Sequence, residues 1–389
     1  MPATDPALQH ITERIHAARA DRSPLRIRAG GSKDFYGQSL QGELLDLSAL
    51  TGITSYEPTE LVVTVRAGTP LAALEATLAE RGQCLAFEPP AFIHSAAAPS
   101  RATCGGMVAA GLSGPARASA GAVRDFVLGL TLLNGRGELL TFGGQVMKNV
   151  AGYDVSRLMV GAMGTLGIIT EVSLKVLPRA PAEATLMCAG LAQQPALDLL
   201  HRWGGQPLPM NASCWVQDDS ASPPREHLLV RLRGAVAAVE AACPRLLADL
   251  HAAGGEAQRM DNAQAGADWQ ACRDQTLPFF SAPAPGLCLW RLSLPQTAAA
   301  LDLPWPQLVE WHGGQRWLWA PLQAQAQLRR AAAEAGGTAT LFIAQNADKT
   351  LAIARFSPLK PPLDRIHQRL KAEFDPAGIF NPGRLYADF

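Results

Sequence analysis

Three separate stretches of this chain place glycines where a backbone could lie against a ligand. Gly161-Ala-Met-Gly164-Thr-Leu-Gly167 packs three glycines into seven residues, directly before Ile168-Ile169-Thr170. Arg28-Ala29-Gly30-Gly31-Ser32-Lys33 follows a short strand-like start at Leu25, and Ala102-Thr103-Cys104-Gly105-Gly106-Met107 opens an uncharged stretch of small residues. Glycine reaches positive φ and lets backbone approach a flat or charged group with no Cβ in the way. Successive N–H groups around such glycines can form a concave nest for phosphate oxygens. Gly30, Gly31 and Ser32 therefore read as a pyrophosphate cradle, with Arg28 or Lys33 balancing charge. Each stretch taken alone also suits a tight turn or close helix–strand packing. No Gly-Lys-Ser/Thr follows the glycines, so none is a P-loop, and no G-x-G-x-x-G opens a helix after the first strand, which argues against a nicotinamide cofactor.

The elements around these loops must hold them. Residues 6–20 read as an amphipathic helix with Leu8, Ile11 and Ile15 on one stripe. Leu61–Arg66 reads as a strand, and a helix then starts with Thr69 as N-cap and Pro70 at its first position. Leu71, Leu74 and Leu78 form its apolar stripe and Gly82 ends it. Val127–Leu133 restores a strand, and Asn134-Gly135 predicts a type I′ hairpin turn to Glu138–Phe142. Lys148-Asn149 and Tyr153-Asp154 lead back to the Gly164 turn. Beyond it, Val172, Leu174 and Val176 alternate with Ser173, Lys175 and Leu177, which predicts a strand with one buried face. His94, alone among apolar residues, reads as packed or capping.

At 389 residues the chain has room for two domains with real cores. Net charge is zero and 17% of residues are charged, which speaks against a nucleic-acid or polyanion surface. Seven scattered cysteines with no C-x-x-C argue against an iron–sulfur cluster or structural zinc, and suit a reducing compartment. The first twenty residues are charged and helical, unlike a signal peptide, and no run of eighteen uncharged apolar residues exists. No metal site is expected.

Residues 181–340 read as a second unit, with one long helix from Ala235 to Ala253 closed by Gly254-Gly255. Six of the eight tryptophans lie between Trp269 and Trp319, together with Arg273, Arg291, Arg316 and His312. An Arg fork there could take a substrate carboxylate, or could stack on Trp or snorkel to solvent. The candidates for substrate chemistry are His312, Arg316 and Arg273. The tail places Ile366, Leu370 and Phe374 on one helix face before Asp375-Pro376, and Asn381-Pro382-Gly383-Arg384 reads as a turn.

The segments IRAGGSKDFYG, ATCGGMVAAGLSGPARASAGAVRDFVLG, KNVAGYDVSRLMVGAMGTLGIITEVSLKVLP and FDPAGIFNPGRLY resemble the vanillyl-alcohol-oxidase type of FAD-binding domain, most closely the FAD-binding subunits of bacterial glycolate oxidases. They cover the first 180 residues densely and the rest thinly. The resemblance implies an α+β flavoprotein. A two-subdomain FAD-binding domain over 1–180 would be followed by an α+β cap domain over 181–340, and 341–389 would pack back on the flavin domain. It implies flavin contacts at Arg28, Ala29, Gly30, Gly31, Ser32 and Lys33, at Thr103, Gly105, Gly106 and Ser113, at Gly121, Ala122, Val123 and Arg124, and at Gly164, Thr165, Leu166, Gly167, Ile168 and Ile169. The family often has a bulky residue before Gly121 where this chain has Ala120. Relatives that bond the flavin covalently often carry histidine where this chain has Ser32, which implies non-covalent FAD.

The implied function is oxidation of glycolate or a related 2-hydroxy acid. Implied partners are a larger FAD-containing catalytic subunit and an iron–sulfur subunit, in the cytoplasm or at the inner face of the inner membrane through those partners. A stand-alone FAD oxidoreductase with another substrate and a non-catalytic flavin-holding subunit remain as alternatives.

Overall fold

A computed structural model describes residues 5–92, 100–144, 154–218, 224–344, 353–387 and 389. His94 and the stretch Lys148–Tyr153 lie outside them. The chain divides into two compact units: Met1–Ser113 with Gly121–Pro178 and Ile353–Phe389, and Gly114–Ala120 with Arg179–Ala352. Residues 114–120, inside the segment read as the first domain, thus cluster with the second unit. Trp311 Nε1 donates to the Gly114 carbonyl at 3.0 Å, and the Arg117 guanidinium lies 4.5 Å from the Trp311 ring centre.

In the first unit an antiparallel five-stranded sheet runs in the order Ile53–Glu57, Val62–Arg66, Ile168–Lys175, Val127–Leu133, Leu139–Gly143. The strand after the glycine turn is therefore central. Ile168, Val172 and Leu174 are buried as the alternation requires, but Ile169, Thr170 and Ser173 are buried too. Both faces are covered, correcting the one-faced expectation. The Ser173 hydroxyl finds its partner in Thr64, 2.9 Å away, instead of in water. A parallel pair, Leu25–Arg28 with Glu43–Asp46, stands apart from this sheet. The helix Pro6–Asp21 covers a core that includes Ile11, Ile15, Leu25, Leu45, Ile168 and Phe380.

Local chemistry differs from expectation at two turns. Thr69 does not cap the helix Leu71–Glu80, whose N-cap is Pro70. Its hydroxyl instead accepts from the Gly52 N–H at 2.9 Å and donates to the Gly52 carbonyl at 3.2 Å. The Asn134-Gly135 hairpin is a longer loop, not a two-residue turn. The Asn134 side-chain oxygen accepts from the N–H groups of Arg136 and Glu138, and the left-handed residue is Gly137. An Asx turn has displaced the type I′ geometry.

The second unit is built on an eight-stranded sheet, in the order Glu256–Arg259, Ala182–Ala189, Arg225–Gly234, Met210–Asp218, Gln307–Glu310, Gln315–Pro321, Leu287–Ser293, Thr338–Ile343. The helices Gln193–Gly204 and Val236–Ala252 bury Leu197, Leu200, Trp203, Leu246 and Leu250 in its core. Four of its tryptophans place their indole N–H groups on partners in the same unit, while the buried Trp290 indole N–H has none among the described residues. Trp203 donates to Asp249, Trp269 to Thr185, Trp317 to Glu310 and Trp319 to the Phe279 carbonyl.

Candidate functional site

The first unit contains an open cleft of about 810 Å³, counting space that merges with solvent. It is lined by the loop after the first strand, by the start and end of the helix Cys104–Ala110, and by the glycine turn before the central strand. Two of the three glycine stretches meet here as cleft wall through both their glycines and their neighbours. Arg28, Ala29, Gly30, Gly31, Ser32 and Lys33 all line the cleft, as do Thr103, Gly105 and Gly106. From the third stretch Met163, Gly164, Gly167 and Ile169 do.

The glycines serve different ends. A Cβ on Gly30 would lie 1.5 Å from the Arg101 carbonyl oxygen, so only glycine lets these two backbones touch. Gly31 has φ of +73°, which side chains disfavour, and a Cβ there would lie 2.3 Å from the Arg28 guanidinium. Gly105 packs against Ala67, where a Cβ would come within 2.5 Å. Gly106 is exposed, and only the Thr103 hydroxyl stands near it. Close packing explains Gly105, and open access to the cleft explains Gly106. The Thr103 hydroxyl caps this helix by accepting from the Gly106 N–H at 3.3 Å.

The remaining expected contacts stand elsewhere. Thr165 is fully buried, with its hydroxyl donating to the Ala162 carbonyl at 2.6 Å, and Leu166 and Ile168 belong to the interior. Ser113 accepts from the Val123 N–H at 3.2 Å, and Asp125 accepts from the Ala122 N–H at 2.8 Å. Gly121 supplies the positive φ of +102° that this clasp needs. Arg124 is exposed. None of Ser113, Gly121, Ala122, Val123, Arg124, Thr165, Leu166 or Ile168 lines the cleft.

The resemblance brought the tail back to the flavin domain, but sequence reasoning named neither Asn381 and Arg384 nor Arg101 as residues of the cleft. Asn381 accepts from the Ile27 N–H at 2.8 Å and donates to the Met163 carbonyl at 2.7 Å, tying the first strand to the glycine turn. Arg384 is buried and donates to the carbonyls of Lys33 at 3.2 Å, Asp34 at 3.1 Å and Gln38. It braces the cradle from behind, and burial pushes its pKa down to about 10. Lys371 reaches the Thr165 carbonyl at 2.7 Å, the Phe380 carbonyl at 2.8 Å and the buried Asp375 at 2.8 Å. Beyond the resemblance of FDPAGIFNPGRLY, the residues themselves offered only a turn-like Asn-Pro-Gly-Arg, because bonds spanning more than 200 residues leave no local pattern.

The lining suits FAD. Arg28, Lys33, Arg101 and Arg384 outnumber Asp34, the one carboxylate, which is spent on Arg28 at 2.8 Å. A surplus of cation beside glycine N–H groups suits a diphosphate. Ile27, Leu40, Leu47, Ala109, Ala110 and Ile169 supply the apolar wall a ring system needs. Among the described residues, no His, Cys or Tyr lines the cleft. Cys104 is buried on the other side of its helix turn, and burial with nearby Glu75 pushes its thiol up to about 12.

In the second unit the candidate side chains are already engaged. Arg316 is fully buried and donates to the carbonyls of Ala298 at 2.7 Å, Ala299 at 2.8 Å and Gly313 at 3.4 Å. Arg273 grips the adjacent, buried Asp274 with two donors, at 2.9 and 3.1 Å. His312 sits at φ +55° with Nδ1 2.9 Å from the Ser213 hydroxyl and Nε2 3.3 Å from that of Ser119. Burial lowers its pKa to about 4, so the ring is neutral at pH 7. Among the described residues no group of three or more His, Cys, Asp or Glu is placed to hold a metal ion. No helix there is long and apolar enough to cross a membrane.

The family described as FAD binding domain matches residues 7–143. Glycolate oxidase subunit GlcE of Escherichia coli (strain K12) is 45% identical over 380 residues, 98% of this chain and 97% of that protein. A D-2-hydroxyglutarate dehydrogenase of Xanthomonas citri pv. viticola is 29% identical over 64% of this chain and half of its own length. Among solved structures, an alkyldihydroxyacetonephosphate synthase shares the fold with a TM-score of 0.66 at 13% identity, covering 97% of this chain and 76% of that one. The cofactor of this chain is FAD, and the chain belongs to the GlcE family of FAD-binding proteins.

Proposed function

We propose that this chain is the FAD-binding subunit of a glycolate oxidase, holding its flavin without a covalent bond. The observation that carries the reading is the cleft itself: a cationic, glycine-walled cradle running into an apolar wall, in a chain alike to GlcE along nearly its whole length. Gly30, Gly31 and Ser32 would hold the diphosphate, with Arg28, Lys33 and Arg101 balancing its charge. Gly106, Gly164, Gly167 and Ile169 would bear on the remainder of the cofactor. Ser32, which stands where relatives that bond the flavin covalently often carry histidine, lines the cleft and supports the non-covalent mode. When bound, FAD supplies the two-electron redox chemistry, while the protein orients it and sets its electrostatics.

Oxidation of the hydroxy acid itself is assigned to a larger flavoprotein subunit, with an iron–sulfur subunit as electron acceptor. Arg273 and Arg316 support this division, because their donors are committed to Asp274 and to backbone carbonyls and not presented to an acid. The test is anaerobic addition of glycolate to the purified chain, alone and with both partners. Bleaching of the 450 nm flavin band is expected only with the partners present. Full reduction of the lone chain by glycolate would overturn the division of labour, and a colourless chain that binds no added FAD would overturn the reading altogether.

A further inference from the structure

Met163 is held in a conformation that few side chains adopt. Its φ of +51° lies in the left-handed region that glycine favours, although glycines stand close by at positions 161 and 164. The Met163 peptide is pinned on both sides. Its N–H donates to the Ala109 carbonyl at 2.9 Å, and the neighbouring Gly161 N–H donates to the Val108 carbonyl at 3.0 Å, so the glycine turn closes onto the C-terminal end of the helix Cys104–Ala110. Its carbonyl accepts from the Asn381 amide at 2.7 Å, and the same amide accepts from the Ile27 N–H at 2.8 Å. Ile27, Ala109, Met163 and Asn381 all line the cleft. Three of its walls, the strand before the cradle, the helix and the glycine turn, are therefore stitched together through Met163 and Asn381.

Few residues could serve at position 381. The backbone there has φ of +39°, which asparagine tolerates better than most side chains. The amide offers an acceptor to Ile27 and a donor to Met163 at once, and these two partners fix which way it points. Asn381 is 5% exposed, so water does not readily replace either bond. Gly164 leaves room for the amide, since a Cβ there would lie 2.8 Å from Asn381 Nδ2. The tail stays docked without the amide, because the Leu25 N–H donates to the Ile379 carbonyl at 2.7 Å, the Asn381 N–H to the Leu25 carbonyl at 3.0 Å, and Phe380 is wholly buried.

We propose that Asn381 is a positioning residue for the flavin. By fastening the Met163 peptide to the strand at Ile27, it sets the spacing between the diphosphate cradle and the glycine turn, and so the affinity and orientation of FAD. This role presupposes the FAD-binding function proposed above. Asn381 carries no electrons or protons; it acts through the backbone on either side of the cleft.

The test is titration of the full-length apoprotein with FAD, as wild type, Asn381→Gly, Asn381→Asp and Arg316→Met. Asn381→Gly keeps the left-handed backbone and deletes only the amide. Asn381→Asp keeps the acceptor for Ile27 and sets a carboxylate oxygen against the Met163 carbonyl. Arg316→Met lowers stability away from the cleft and is the control for destabilisation as such. Both Asn381 variants should bind FAD at least roughly 10-fold more weakly, the Asp variant the weaker of the two. At saturation the visible circular dichroism of their flavin should differ from wild type, while the Arg316→Met signal should match it. Wild-type affinity and dichroism in Asn381→Gly would overturn the proposal. So would Asn381→Asp that binds like wild type, since the Met163 bond would then be irrelevant. Weakened binding with a wild-type dichroism and a melting temperature lowered as in Arg316→Met would show a purely structural role, as would failure of both Asn381 variants to fold. If only Asn381→Asp fails to fold, Asn381→Gly decides alone. A wild-type apoprotein that takes up no FAD would instead overturn the function proposed above.

Discussion

The flavin cradle and the tryptophan-rich sheet of the second unit solve the burial of polar groups in opposite ways. In the cradle, backbone is laid bare by glycine, and its N–H groups and carbonyls are left for a ligand or for a distant brace such as Arg384. In the second unit, side chains close on one another. Trp317 and Gln315 both donate to the buried Glu310, at 2.7 and 3.0 Å, and Arg316 spends its guanidinium on three carbonyls. A residue type that could bind a substrate thus says little until its partners are counted. Arginine beside tryptophan has structural work to do in that sheet, whereas in the cradle one glycine of a pair packs and its neighbour stands open, as Gly105 and Gly106 do.

If that contrast is right, substitutions should separate cofactor loss from stability loss. The largest effect is expected at Gly31. Gly31→Asp places a Cβ 2.3 Å from the Arg28 guanidinium, at φ +73°, and a negative charge where the diphosphate would sit. FAD affinity should fall at least about 100-fold, roughly 3 kcal/mol, with the second unit unaffected. Bound flavin per chain after desalting measures it, and a variant that keeps stoichiometric FAD would remove Gly31 from the cradle.

Arg316→Met should do the reverse. Three hydrogen bonds from a fully buried guanidinium vanish, at roughly 1 kcal/mol each, so denaturant midpoints should drop while flavin content stays at the wild-type level. A normal midpoint coupled with lost binding of small acids would restore Arg316 as a substrate ligand and break the comparison.

The smallest effect is the pH dependence at His312. Its folded pKa, about 4, lies below the ordinary 6.5, so the unfolded chain takes up a proton first as pH falls. Its contribution is complete above pH 6.5 and is lost as pH falls toward 4. Between pH 7 and 5 the loss should be on the order of 2 kcal/mol. Calorimetry should show that fall in wild type and a smaller one in His312→Gln; identical pH profiles would mean the ring is not held neutral.

How much was legible beforehand follows the range of the interactions. The Leu71, Leu74 and Leu78 stripe, the strand Val127–Leu133 and the long helix Val236–Ala252 announce themselves through periodicity, which is a local property of the backbone. The Arg28–Lys33 loop is similarly local, since strand, paired glycines and a cation are consecutive, and all six residues line one cleft. Where two local signals compete, the sequence misleads. Thr69 looks like an N-cap until Gly52 claims its hydroxyl, and Asn134-Gly135 looks like a two-residue turn until the Asn134 side chain takes two N–H groups.

The amino-acid sequence by itself determined that this chain has glycine-built loops next to strands, a neutral composition whose seven cysteines are scattered without metal-ligand spacing, and a second unit crowded with Trp and Arg. Only the tertiary structure decided which cleft-lining glycines are also pressed against a neighbouring backbone and which stand open, as Gly105 and Gly106 show side by side. It also decided that Asn381 and Arg384 brace a cradle some 350 positions earlier, that Arg316 is walled in by carbonyls, and that Lys371 turns inward onto the Thr165 carbonyl. Periodicity and turn chemistry act between near neighbours in the chain. Hydrogen-bond satisfaction in an interior acts between near neighbours in space, and only the folded chain determines who those are.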